Sequence, residues 1–212
     1  MSKVISVSTC EFPHKTGQEE LKKFSKELFG NEFPDIDRIL ESYDNAEISS
    51  RNLCVPVEFF QDKKSFREKN DLYIKYTLEY SSAVIEDCIS KAGIDKNSIT
   101  DFIFISSTGI ATPSPDALLI NKMKLNPFIS RTPVWGLGCA GGVSGLAKAF
   151  VITRANPDAV VLLLTVELCS LTFIRNDLSK SNLIAAGLFS DGISSVIATG
   201  KNVRINNDKY GI

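Results

Sequence analysis

The chain has one histidine, His14, which follows Pro13 in an early polar stretch and reads as a solvated loop residue. Excess charge of either sign is missing too: 24 Lys and Arg stand against 25 Asp and Glu, so nothing selects nucleic acid as a partner. No apolar run reaches the roughly 20 residues of a membrane span. The opening Met1-Ser-Lys-Val-Ile-Ser-Val-Ser8 lacks the charged-then-apolar layout of a signal peptide. A cytoplasmic protein without a membrane partner is expected. The five cysteines, at 10, 54, 88, 139 and 169, are odd in number, scattered and without a C-x-x-C pair. That spacing argues against a disulfide framework and a zinc site, and leaves reduced thiols and no metal. Internal repeats and low-complexity tracts are absent, and 212 residues suffice for one good core or two small ones.

The most informative stretch runs from Pro133 to Phe150, Pro-Val-Trp-Gly-Leu-Gly-Cys139-Ala-Gly-Gly-Val-Ser-Gly-Leu-Ala-Lys-Ala-Phe. Val134, Trp135 and Leu137 suit a buried strand, and Val143, Leu146, Ala147 and Phe150 recur at helical spacing. Cys139 therefore falls at a strand-to-helix junction. The first turns of that helix hold Gly141, Gly142 and Gly145, each costing about 1 kcal/mol of helix stability relative to alanine. Two explanations fit: close approach of another backbone, and free backbone N–H groups near the sulfur. A helix N-terminus favours thiolate over thiol, and that makes a nucleophile of a cysteine placed there. The alternative is a small buried cysteine in a close-packed helix. A hydrolase elbow of the form Gly-x-Cys-x-Gly would need glycine at 137, where the chain has Leu137.

In chain order, Val4 to Ser8 alternates as a first strand, and a polar connection follows. Gln18 to Phe29 predicts a helix with Leu21, Phe24 and Leu28 on one face and Gly30 as its stop. After Pro34 comes a second helix with Ile36, Ile39, Leu40 and Tyr43 facing in and Asp44-Asn45 ending it. Ile48 to Pro56 reads as a loop or short strand. Asn70 or Asp71 is the expected cap of a long helix ending at Lys91, with Leu72, Tyr76, Tyr80, Ala83, Val84 and Cys88 as its buried stripe. Asp101 to Ser106 is an apolar strand, Ser107 to Pro115 a hydroxyl-rich loop, and Asp116 to Leu125 a helix. Ala159 to Thr165 is apolar enough to be a central parallel strand. Leu183 to Phe189 and Ile193 to Thr199 read as two strands meeting at a tight Ser190-Asp-Gly turn. The order of elements predicts an α/β fold.

The run Thr132-Pro-Val-Trp-Gly-Leu-Gly-Cys139-Ala-Gly-Gly resembles the active-site segment of type III polyketide synthases, the chalcone and stilbene synthase branch of the thiolase-fold condensing enzymes, above all its bacterial members. The fold this implies is one half of a thiolase-like fold: layered, mainly parallel sheet with a buried nucleophile-bearing helix. Residues 1–212 would then be the N-terminal domain of a chalcone-synthase-type enzyme, naringenin-chalcone synthase-like in type, with the C-terminal half not present. The activity implied is an acyltransferase that condenses an acyl-CoA starter with malonyl-CoA units by decarboxylative Claisen condensation. Both thioesters are substrates, and no cofactor is implied. Cys139 would carry the acyl chain, which splits a hard transfer into easier steps.

The resemblance also places Phe189 at the mouth between coenzyme tunnel and cavity, and Thr172, Cys169 and Ser107 in the lining of that cavity. Thr112 would reach across a homodimer interface. Arg38 and Arg51 would contact coenzyme A phosphates, although Glu41 and Asn45 replace two basic residues of the family pattern. The family also needs a histidine and an asparagine from its second half, and His14 matches neither, so the isolated chain is expected to be inactive in condensation. Two alternatives stay open. One is a ketoacyl-carrier-protein synthase III-like or hydroxymethylglutaryl-CoA synthase-like enzyme, and the other a non-catalytic thiolase-like module for dimerisation or acyl binding.

Overall fold

The computed structural model describes residues 2–204. Its elements in chain order begin with β1 (Lys3–Thr9), β2 (His14–Gly17), α1 (Gln18–Phe29), α2 (Ile36–Asn45) and β3 (Ser50–Leu53). There follow α3 (Phe66–Ala92), β4 (Asp101–Ser106), α4 (Pro115–Met123) and β5 (Ser130–Trp135). The last are α5 (Gly141–Ala155), β6 (Val160–Leu168), α6 (Lys180–Leu188) and β7 (Asp191–Thr199). The described residues divide into two compact units, one of residues 2–10, 74–167 and 192–204, the other of 11–73 and 168–191. Among the described residues no helix is long and apolar enough to cross a membrane.

The first unit is built on a five-stranded sheet in the order β1-β7-β6-β4-β5. β4 runs parallel to both β5 and β6, and β1 pairs antiparallel with β7. The apolar runs of β4 and β6 take the central places, where both sheet faces are covered, and Phe102, Ile103, Val161, Leu162 and Leu164 are wholly buried. α5 packs on this sheet through an unexpected face. Its buried residues are Gly141, Gly145, Ala149 and Thr153, one helical turn apart, and not the larger apolar residues. The reason is distance: a Cβ at 141 would lie 2.6 Å from Ile105 Cγ2, and one at 145 would lie 2.6 Å from both Ile105 Cδ1 and Leu163 Cδ1. Val143, Leu146, Phe150 and Val151 are left exposed. The helix that follows the cysteine is thus buried on one face only.

β5 corrects a second expectation. It is the end strand of the sheet, a place that tolerates Pro133, and Trp135 is 67% exposed. Val134 is partly buried against the core of Ile103, Ile105, Val161 and Leu163, while Leu137 beyond the strand is exposed.

α3 begins at Phe66, ahead of Asn70 and Asp71, because Ser65 and Glu68 form a capping box. The Ser65 Oγ accepts from Glu68 N–H at 3.2 Å, and Glu68 Oε2 accepts from Ser65 N–H at 2.8 Å. Its buried stripe is Tyr73, Thr77, Ser81, Ile85, Cys88 and Ala92, one position round from the expected one. Leu72, Tyr76 and Tyr80 are half-buried and Ala83 is exposed. Val84 and Cys88 are buried as expected, the Cys88 thiol lying 3.1 Å from Ser6 Oγ.

The second unit holds α1, α2, α6 and the β2–β3 ribbon, which pairs His14 with Leu53. His14 therefore stands in a short strand and not in a loop. α2 turns Ile36, Ile39, Leu40 and Tyr43 inward as its pattern predicts, against Leu21, Phe29 and Leu183. Residues 183–188 are helical, and the expected hairpin strand does not form. Ser179 caps α6 by accepting from Asn182 N–H, and Leu183 and Gly187, four residues apart, form its buried face. Gly187 lies flat against the Tyr43 ring, whose hydroxyl donates to Leu183 O at 2.9 Å and meets Ser25 Oγ at 3.0 Å.

Candidate active site

Cys139 sits on a single 3-10 turn, Gly138–Ala140, between β5 and α5. The turn requires glycine on either side of Leu137: Gly136 has φ 84° and Gly138 φ 51°, left-handed conformations that cost a side-chain-bearing residue about 1–2 kcal/mol. α5 starts two residues after the cysteine and has no side-chain cap; its first N–H, that of Gly141, donates to Gly138 O and so joins the helix to the cysteine turn. Cys139 is exposed, whereas Cys54 and Cys88 are buried and Cys10 and Cys169 are intermediate. Burial, and then the neighbouring Asp191, push the Cys54 thiol far up, so it is a poor nucleophile. The exposure of Cys139 rules out the sequence reading of a small buried core cysteine.

The ends of three parallel strands meet beside this turn. Ile105 of β4 pairs with Thr165 of β6, and two residues further Ser107 meets Glu167. Ser107 N–H donates to both carboxylate oxygens at 3.0 and 3.1 Å, and Ser107 Oγ accepts from Gly138 N–H at 3.0 Å. Burial raises the Glu167 carboxyl from its ordinary value, against hydrogen bonds from Ser107 and Thr108 that pull it down. Glu167 goes unnoticed in the sequence pattern. Its signal is a lone carboxylate at the end of the apolar run Ala159 to Val166. Thr112 is exposed in the loop between β4 and α4. That loop leads into the wholly buried Asp116, which accepts from Arg131 Nε at 2.6 Å.

The second unit gathers another set of the expected residues. Cys169, Thr172, Phe189 and Arg51 all line one cavity of about 90 Å³, with Leu21, Phe24, Phe29, Phe60 and Phe173 as its apolar wall. Cys169 and Thr172 belong to a 3-10 turn that Asp191 fastens: its carboxylate accepts from Ser170 N–H at 2.8 Å, Ser170 Oγ at 2.6 Å and Cys54 N–H at 2.6 Å. Asp191, expected in a tight turn, instead opens β7 and is buried. Arg51 is 2% exposed, with its guanidinium donating to Gln18 Oε1, and burial lowers its affinity for the proton. Arg38 is exposed on the outer side of α2. Cys139, Ser107 and Thr112 thus belong to the first unit, and Cys169, Thr172, Phe189, Arg38 and Arg51 to the second.

The family model of the chalcone and stilbene synthase N-terminal domain matches residues 55–202. A protein of Bacillus subtilis (strain 168), provisionally named a chalcone synthase, is 41% identical over 95% of this chain and 56% of its own length. The 1,3,6,8-tetrahydroxynaphthalene synthase of Streptomyces peucetius subsp. caesius is 34% identical over 93% of this chain and 52% of its own. The crystal structure of 1,3,6,8-tetrahydroxynaphthalene synthase from Streptomyces coelicolor A3(2), a bacterial type III polyketide synthase, superposes with a TM-score of 0.88 at 27% identity, over 92% of this chain and 56% of that one. The chain spans about half the length of the curated relatives it matches.

Proposed function

Because this chain belongs to the chalcone and stilbene synthase family and has its thiolase-like fold, we propose that it supplies the acyl-carrying half of a type III polyketide synthase. The observation that carries the reading is the exposed Cys139 on a glycine-built turn ahead of α5. In the reaction proposed, the Cys139 sulfur attacks the thioester carbonyl of an acyl-CoA, the bond to the coenzyme sulfur breaks, and coenzyme A leaves as its thiol. Malonyl-CoA then loses carbon dioxide. The carbanion left attacks the cysteine thioester, forming a carbon–carbon bond and releasing the Cys139 sulfur for another round.

Polarising the malonyl carbonyl is work for a histidine and an asparagine supplied from outside these residues. Cys169, Thr172 and Phe189, which line one cavity of the second unit, would shape the space for the acyl chain. Arg38 is exposed, as a contact to coenzyme phosphates requires, whereas Arg51, buried and donating to Gln18, does not meet that requirement and is not proposed as a phosphate ligand. The tetrahydroxynaphthalene synthases among its bacterial relatives support an enzyme of that kind over a naringenin-forming chalcone synthase. Homodimerisation in the cytoplasm completes the proposal, with the exposed loop around Thr112 at the subunit contact and no cofactor required.

Incubation with a panel of acyl-CoA thioesters, read by intact mass, tests the reading. One acyl increment per chain is expected, and Thr172→Trp should suppress the longest acyl groups before the shortest. Absence of any increment across small, aliphatic and aromatic acyl-CoA thioesters would refute the acyl-carrying role.

A further inference from the structure

We propose that Ser107, held in place by Glu167, is a positioning residue that fixes the turn carrying Cys139. This rests on Cys139 being the nucleophile. The turn closes on two backbone bonds, Ala140 N–H to Leu137 O at 3.2 Å and Gly141 N–H to Gly138 O, but it has no side-chain cap, and Gly136 and Gly138, both at positive φ, leave the backbone ahead of it many alternatives. What selects one geometry is the bond from Gly138 N–H, immediately before the cysteine, to Ser107 Oγ at 3.0 Å. Ser107 is itself immobilised, because its N–H is shared between the two oxygens of Glu167 at 3.0 and 3.1 Å. Ser107 therefore ties the two together: its hydroxyl accepts from the Gly138 amide, and its own N–H donates to the Glu167 carboxylate. Glu167 is anchored in turn by β6, so the cysteine turn is referred to the centre of the sheet and not to its exposed edge strand.

Two measurements on the full 212-residue chain test this. Amide hydrogen exchange of Gly138, followed by nuclear magnetic resonance, reads the bond itself. The rate of iodoacetamide addition to Cys139 near neutral pH, located by peptide mass mapping, reads its consequence. Ser107→Ala should speed Gly138 exchange and slow Cys139 alkylation by about three- to tenfold, the factor that one ordinary hydrogen bond makes in a rate. Ser107→Thr, which keeps the hydroxyl, should restore both to within about twofold. Glu167→Ala should slow alkylation similarly, and the double variant should be no slower than the slower single one, because Glu167 acts through Ser107. Labelling of the buried Cys54 and Cys88 reports loss of folding separately from loss of the turn. Unchanged Gly138 exchange in Ser107→Ala, or unchanged Cys139 alkylation despite faster exchange, overturns the proposal. A Cys139 inert in every variant while Gly138 protection still depends on Ser107 refutes the nucleophile reading instead, and the positioning role with it.

Discussion

Supplied with an acyl-CoA and malonyl-CoA, these 212 residues on their own are expected to release no polyketide. Condensation needs a group to polarise the malonyl thioester carbonyl and a proton donor near the developing oxyanion. Positioned general acid–base groups contribute about 10²–10⁴-fold to such steps. The chain's only histidine, His14, is committed to β2 in the second unit, paired across the ribbon with Leu53. Radiolabelled malonyl-CoA with chromatography of the extract measures the outcome. Covalent loading without release is the expected pattern, and turnover within the ordinary enzymatic range of about 1–10³ per second would contradict it.

Gly187→Ala is expected to destabilise the second unit even though alanine is the better helix former by about 1 kcal/mol. The Tyr43 ring occupies the space a Cβ at 187 would need. That ring cannot swing away: it is 1% exposed, and its hydroxyl is engaged with Leu183 O and Ser25 Oγ. Overpacking of this kind costs about 1–3 kcal/mol. The net effect in thermal unfolding should be a fall of the midpoint by a few degrees, since about 1 kcal/mol shifts a domain of this size by about 2–4 °C. In a Tyr43→Leu background, itself less stable, the same change should become neutral or stabilising. A rise in midpoint for Gly187→Ala alone would mean that helix propensity outweighs the contact.

Which elements are legible in the sequence follows from where their partners lie. α1 keeps its sequence bounds, Gln18–Phe29, because its apolar face and Gly30 are local signals, and β4 keeps Asp101–Ser106 because a short apolar run flanked by polar residues has few alternatives. α6 is misread for the opposite reason. Leu183-Ile-Ala-Ala-Gly187 lacks a clear period, and what makes it a helix is a tyrosine 140 residues earlier that accommodates a glycine face. α5 deceives differently: periodicity points to its large side chains, but the sheet comes so close that only glycine and alanine fit between them. Cys139 is readable from its glycine neighbours, whereas Glu167 and Asp191 act through contacts across 60 and 137 residues of sequence that no local pattern discloses.

Peptide mapping of the chain after incubation with an acyl-CoA reads whether Cys139 accepts the acyl group. The expected result is a hydroxylamine-labile acyl mass on the peptide that contains Cys139, absent from Cys139→Ser while the buried Cys54 and Cys88 stay unmodified. An acyl group on Cys10 or Cys169 instead, or equal acylation of the Cys139→Ser chain, would contradict the account.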